Sequence, residues 1–353
     1  MILETEIEQA ARPAAQPAPP PPVEAMFQLL FGKHITYSLS AVARLGVADH
    51  MNGSPVDVET LARKAGAHAP SLYRVLRMLA SVGVFEEAAG KRFALTPVGE
   101  LLKSDAPGSL RYMAIMWGDE WSTRAFAHFT DCIRTGGDGV TAAFGKNVFD
   151  LLSERPEQAE NFHRAMSGFS SSSAAAVLEA YDFTGIRRLA DIGGGHGKLL
   201  ASILNRYPRL EGVLFDLPEV VAGAPGANHF AACEDRVQID PGSFFDRVPA
   251  GCDAYILKHI LHDWSDDHCR KILSLISEQL PADGRVLLCE LVVPYDGGPA
   301  PAKMLDIEML ALTVGGKERT AAEFKELFAS AGLRLTNIVP TQLPVCVLEA
   351  RRA

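Results

Sequence analysis

The amino-acid sequence predicts an α/β fold: a doubly wound, mainly parallel sheet preceded by a smaller, largely helical N-terminal module. Three observations carry that prediction. From about residue 186, short apolar runs alternate with helix-length segments. The first run closes on the glycine-rich turn Asp191-Ile-Gly-Gly-Gly-His-Gly197. Upstream of residue 180, apolar residues instead recur three and four apart, the helical period.

In chain order, residues 12–22 read RPAAQPAPPPP, with six prolines in eleven positions. Such a stretch favours extended polyproline and buries nothing, so residues 1–25 are expected to form a disordered tail. From Met26 onwards, Phe27, Leu30, Phe31, Ile35, Leu39, Val42 and Leu45 follow a helical stripe that Gly46 stops. Pro55–Gly66 and Pro70–Ala80 read as two further helices. Leu72, Val75, Leu76 and Leu79 share one face of the second. Gly83–Glu87 and Arg92–Thr96 then read as a hairpin turning at Gly90. Helix, turn, helix and hairpin is the order of a winged helix, which bounds a module over residues 26–105.

A winged helix suggests DNA, but the charges argue otherwise. The second helix offers only Arg74 and Arg77, the hairpin only Lys91 and Arg92, and the whole chain carries a net charge of −9. Phosphate-binding domains usually hold a basic excess, so nucleic acid is not an expected partner. The module is expected to serve packing or dimerisation instead.

Residues 106–180 read as a helical connector rich in large side chains, among them Trp117, Trp121, Phe162 and Met166. Most belong to a core. Some are expected to line a pocket for a flat apolar ligand, since such sites favour domain junctions. Over residues 181–353 the expected strands are Arg188–Ile192, Gly212–Phe215, Val237–Ile239, Ala254–Leu257, Arg285–Cys289 and Val345–Glu349, with helices near 197–206, 267–280 and 321–331.

Hydrophobic residues make up 48% of the 353 and charged residues 22%, an ordinary globular balance. No apolar run approaches the ~18 residues of a membrane span, and the acidic start lacks a signal-peptide pattern. The six cysteines contain no CxxC pair, which fits reduced thiols better than a zinc clip or disulfide scaffold. A cytoplasmic enzyme is expected, with no membrane partner and no required metal.

The glycine loop narrows the ligand. A dinucleotide fingerprint needs G-x-G-x-x-G, but its last position falls on Lys198 or Leu200 in the two available registers. No phosphate-cradling G-x-x-x-x-G-K-[ST] exists either. What remains is Asp191, Gly193, Gly195 and Gly197, which resembles motif I of S-adenosylmethionine-dependent methyltransferases. That cofactor carries a sulfonium and an ammonium, so an acid at the strand end suits it. Asp216 in Leu-Phe-Asp-Leu-Pro218 stands about 20 residues beyond the loop, where an acid meets a ribose diol. Ser243 and Phe244 follow the third strand, where an adenine would lie.

Residues 253–269, DAYILKHILHDWSDDHC, hold the densest chemistry. An apolar strand ends at Lys258, and Ser265-Asp-Asp267 looks like a helix start. His262 therefore belongs to a loop outside a strand's carboxyl end, in the ligand-binding crevice of a doubly wound fold. His259 and His262 stand three apart, a spacing that makes a chance metal pair conceivable on a helix, but no compact ligand set of the zinc type accompanies them.

LADIGGGHGKLL, LFDLPEV, PGSFFDRVP, LKHILHDWSDDHC, CELVVP and MLALTVGGKERT together resemble the plant caffeic acid, flavonoid and acetylserotonin O-methyltransferases and their bacterial natural-product relatives. The resemblance spans residues 26–353 and implies a Rossmann-like methyltransferase sheet, with the winged-helix-like module dimerising the chain. It implies S-adenosylmethionine as cofactor, S-adenosylhomocysteine as product and an aromatic hydroxyl as acceptor. It also implies His262 as general base, with Glu290, Glu318 and Asp263 around it. Asp191, Gly193, Gly195, Asp216, Leu217, Ser243, Phe244 and Lys258 would hold the cofactor. Trp117, Phe162, Met166, Met309 and Thr313 would face the acceptor. Two departures stand out: Ser243 replaces an acid of the plant pattern, and His259 stands where plant enzymes often carry tryptophan. Two other readings remain: a relative that hydroxylates or decarboxylates a polyketide, and a winged-helix regulator using the second domain as a ligand sensor.

Overall fold

The computed structural model describes residues 20–353, so most of the expected tail lies outside the described residues. Helix begins at Pro22 rather than Met26, because proline's fixed φ and missing N–H suit a first helical turn. The helix Pro22–Leu30 turns at Phe31 into Gly32–Arg44. Val23, Met26, Phe27, Leu29, Leu30 and Phe31 are all exposed there.

Strand β1 (Val56–Asp57) precedes the helices Val58–Ala65 and Ala69–Ser81, which β2 (Phe85–Ala88) and β3 (Arg92–Leu95) follow. Asp57 starts the first helix by accepting from the Thr60 amide at 2.9 Å, and Gly66, at φ 64°, ends it in the left-handed region. The three strands pair antiparallel in the order β1-β3-β2. Leu61, Leu76, Leu79, Phe85 and Phe93 form the core of this module.

Six short helices then lead to the long helix Pro156–Ala180. It runs unbroken through Ser170–Ser173.

The larger sheet comprises β4 (Arg188–Ile192), β5 (Glu211–Asp216), β6 (Val237–Pro241), β7 (Ala254–Lys258), β8 (Arg285–Val293), β10 (Leu333–Pro340) and β11 (Val345–Arg352), while β9 (Arg319–Thr320) pairs only with the end of β8. Its order is β10-β11-β8-β7-β4-β5-β6. From β8 to β6 every pair is parallel; β11 runs antiparallel to β8, and β10 to β11. The expected parallel sheet is thus mixed at one edge. Strand β10 had no counterpart among the expected strands, because an edge strand with Arg334, Thr336 and Asn337 buries too few side chains to show an apolar run. Central strands such as β4 and β7 are buried on both faces and read as continuous apolar runs. One apolar layer gathers Val177, Leu200 and Leu204 against the sheet, the other Ile272, Leu273 and Phe328. Among the described residues no helix is long and apolar enough to cross a membrane.

Candidate active site

Strands β4 and β5 lie side by side, so their carboxyl ends open on one crevice. Gly193, Gly195 and Gly197 have φ of 68°, 60° and 82°, which favour glycine on conformational grounds alone. Space adds to this at two of them. A Cβ on Gly193 would lie 2.5 Å from Ile260 Cδ1, and one on Gly197 2.2 Å from Phe230 Cζ. Gly195 faces open space.

Asp216 ties this loop to β5. Its Oδ2 accepts from the Gly195 amide at 2.8 Å and its Oδ1 from Leu217 at 2.7 Å. Burial raises its proton affinity against the pull of both amides. Leu217 itself is exposed. Asp191 lies beneath the loop, against Gly194, and burial pushes its carboxyl up to about 7 although Lys258 opposes the shift. One oxygen, Oδ2, has no hydrogen-bond partner. Burial likewise lowers the proton affinity of the Lys258 ammonium, with Asp191, Cys289 and Glu290 acting against it. A buried acid and base under a glycine loop, with open space above Gly195, fit a ligand that carries both a positive charge and a ribose.

Phe244 reaches the same crevice: its Cε1 lies 3.5 Å from where a Gly193 Cβ would stand. It packs edge-on to Phe245 and Trp264, at centroid distances of 4.8 and 6.1 Å. Ser243 closes its own turn, with Oγ accepting from the Phe245 amide at 3.2 Å.

Across the crevice, β7 ends at Lys258 and the chain turns sharply. His259 takes φ 53°, a left-handed conformation rare outside glycine, and a 3₁₀ turn over Leu261–Asp263 presents His262. The His262 Nδ1 lies 2.7 Å from Glu318 Oε1, and its Nε2 3.5 Å from Asp263 Oδ1. Burial disfavours a charged imidazole, but the carboxylates of Asp263, Glu290 and Glu318 outweigh it and raise His262 to about 10. Burial pushes Asp263 up to about 6 against the attraction of His262.

The two glutamates divide the work. Glu318 bonds the imidazole itself. Glu290, fully buried within β8, accepts with Oε1 from the amides of Ile260 at 3.1 Å and Leu261 at 2.9 Å, and so fixes the backbone leading into His262. Its Oε2 lies 3.7 Å from His259 Nδ1. Burial alone would raise Glu290, but His262, His259 and the Leu261 amide hold it below the usual carboxylate range.

Arg319 is the site residue that the sequence analysis missed. Only 1% exposed, its guanidinium donates to Leu261 O and Trp264 O, each at 2.9 Å, and to Asp266 Oδ1 at 2.8 Å. The neighbouring Lys317 amide donates to His262 O at 2.9 Å, and a Cβ on Gly316 would lie 2.5 Å from that oxygen. The GGKERT segment is therefore a clamp on both ends of the histidine loop. The signal was a charged residue inside a strand-like run beside Glu318.

On the acceptor side, Phe162 and Met166 project from Pro156–Ala180 into a cluster with Met116, Trp121, Ala311 and Leu312. Met309 is buried on the helix Pro301–Leu312, and the Thr313 hydroxyl donates back to its carbonyl at 2.8 Å. Trp117 is 42% exposed and lies outside that cluster. Glu308 shares a helix face with Ala311 and Leu312, and burial pushes its carboxyl up to about 7. Phe149 of the connector stacks on Trp264 of the histidine loop at 6.0 Å.

A glycine loop and ribose-type acid facing a histidine held by carboxylates define a methyltransferase-class α/β protein. Residues 126–334 match the O-methyltransferase domain family and residues 27–105 the O-methyltransferase dimerisation domain. The chain is 41% identical to the phenazine O-methyltransferase PhzM of Lysobacter antibioticus, over 92% of this chain and 95% of that one. It is 35% identical to the mitomycin biosynthesis 6-O-methyltransferase of Streptomyces lavendulae, over 98% and 97%. The structure of human N-acetylserotonin methyltransferase in complex with S-adenosylmethionine superposes with a TM-score of 0.85 at 27% identity, covering 96% of this chain and 99% of that one. The chain belongs to the O-methyltransferase family, whose methyl donor is S-adenosylmethionine, and the resemblance drawn from its motifs is borne out.

Proposed function

We propose that the protein methylates a phenolic hydroxyl of a flat aromatic small molecule, with His262 as general base. The observation that carries this reading is the His262–Glu318 contact at 2.7 Å. It commits Nδ1 to a carboxylate and leaves Nε2 to meet the acceptor. A phenol has a pKa near 10 and is a poor nucleophile while protonated. His262, held at about 10 by its carboxylates, has a proton affinity matched to that hydroxyl. Glu318 and Asp263 stabilise the imidazolium that forms, and Glu290 keeps the loop in place.

Gly193, Gly195, Asp216, Leu217, Ser243, Phe244 and Lys258 would hold S-adenosylmethionine, with Asp191 supporting the loop from below. When bound, the cofactor supplies an electrophilic methyl on a sulfonium. Phe162, Met166, Met309 and Thr313 would contact the acceptor. The phenazine and mitomycin activities named for the relatives support an aromatic acceptor. The match to a dimerisation domain and the exposed apolar face of Pro22–Phe31 support a homodimer.

The test is mass analysis of phenols, catechols and multi-ring aromatics incubated with the enzyme and methyl-deuterated S-adenosylmethionine. A gain of one labelled methyl is expected. Labelled cofactor left intact across the panel would overturn the reading.

A further inference from the structure

We propose that His259, His262 and Glu290 form a binding site for a borderline transition-metal dication of the zinc type, and that metal held there silences methyl transfer. One ligand atom from each of the three residues lies within 4.8 Å of the others. His259 Nδ1 and Glu290 Oε2 are 3.7 Å apart, close to the separation of two donors on a tetrahedral zinc with bonds of about 2.0–2.2 Å. The two imidazole rings lie 5.5 Å apart by centroid.

Burial makes the arrangement specific. The Glu290 side chain is 0% exposed, and those of His259 and His262 are 11% and 13% exposed. Glu290 Oε1 is pinned by two backbone amides, whereas Oε2 is buried without a hydrogen-bond partner and faces His259. A buried carboxylate oxygen in that state gains from a cation. The left-handed backbone at His259 carries a conformational cost that packing maintains, and it holds that ring beside Glu290. Glu318, bonded to the His262 ring, supplies the carboxylate–histidine pairing that orients metal ligands elsewhere.

Charge and donor type choose the ion. Asp263, Glu290 and Glu318 surround two imidazoles beside the Lys258 ammonium, and three carboxylates against that one lasting cation leave a surplus of negative charge that favours a dication. Two nitrogens and one oxygen suit zinc and its neighbours, whereas magnesium and calcium prefer oxygen alone. Binding needs the imidazoles deprotonated, so the ion displaces the His262 proton and takes the lone pair that a base requires. Silencing thus rests on His262 being the base; binding does not. The expectation that turnover needs no metal is unchanged, because the ion acts here as an inhibitor.

The test uses the full chain stripped by chelation and titrated with Zn2+ against a chromogenic chelator, alongside Co2+ followed in the visible. One high-affinity ion per chain is expected, with cobalt bands of nitrogen and oxygen ligation and no thiolate charge transfer. His259→Ala and Glu290→Gln should each weaken binding by at least about 10-fold, the lower limit for losing even an outer-shell partner. Should a variant fail to fold, the cobalt spectrum of the unaltered chain still reads the donor set. Absence of stoichiometric binding, a thiolate band, or affinity kept in both variants would overturn the site. Stoichiometric zinc that leaves methyl transfer intact would overturn the silencing. Tight binding in a chain that methylates no acceptor would remove the proposed function and leave the site standing.

Discussion

At the scale of the residue, His262 is an imidazole with more carboxylate around it than one positive charge can neutralise. Replacing it with alanine should lower kcat by about 10²–10⁴-fold with cofactor affinity nearly unchanged, read by steady-state kinetics and calorimetry. A parallel loss of cofactor binding would show a structural role instead. The sign of the pH effect follows from the direction of the shift. Carboxylates hold the proton on His262 up to about pH 10, and only the neutral ring accepts one, so kcat/KM should climb from neutrality into the alkaline range. A plateau already reached near pH 7 would contradict that field. Asp216 makes a second residue-scale case. Its two oxygens serve two loop amides, and an asparagine can offer an oxygen to only one of them. Asp216→Asn should weaken cofactor binding by about 1.5–3 kcal/mol, the range for hydrogen bonds to a charged group. Calorimetry showing unchanged affinity would separate Asp216 from the cofactor.

At the scale of the element, legibility followed burial and loop chemistry. The glycine turn and β4, β5, β7 and β8 were readable because buried parallel strands repeat apolar residues and their turns demand glycine. Strand β10 was not, since its register comes from pairing with β11 rather than from its own side chains. The serine run inside Pro156–Ala180 stays helical for a related reason. Ser173, Ala174 and Val177 are buried against the sheet, where small side chains allow close approach, and packing decides over propensity. Glu318 was legible through its motif, but Arg319 beside it was not, because its partners are backbone carbonyls of a loop some fifty residues away in sequence. Arg319→Lys should lose the fork that spans Leu261 O and Trp264 O. The expected result is a lower melting temperature, a reduced kcat and an alkaline rise in activity displaced to lower pH as His262 drifts from Glu318. A stability loss with an unaltered pH profile would make Arg319 a packing residue only.

At the scale of the whole molecule, the chain exposes a row of large apolar side chains from Val23 to Phe31, with Leu29 77% and Val23 69% exposed. Leaving so many in water is costly, at roughly 25 cal/mol per Å² of apolar surface. Met26→Asp with Leu30→Asp should shift the proposed dimer to monomer in analytical ultracentrifugation while leaving the catalytic sheet folded. A double variant that sediments as the dimer would locate the interface elsewhere. The long helix Pro156–Ala180 has a separate consequence. At about 1.5 Å per residue it is a strut nearly 40 Å long. Its first half carries Phe162 and Met166, and its second half is anchored in the sheet layer by Ala174 and Val177. Just past its end, the Tyr181 hydroxyl donates to Glu349 at 2.6 Å. Interchangeable tooling bolted to a fixed bed is the mechanical equivalent. A lineage, or an engineer, can recut the first three turns for a new acceptor while the bolts at the far end keep the chemistry in line.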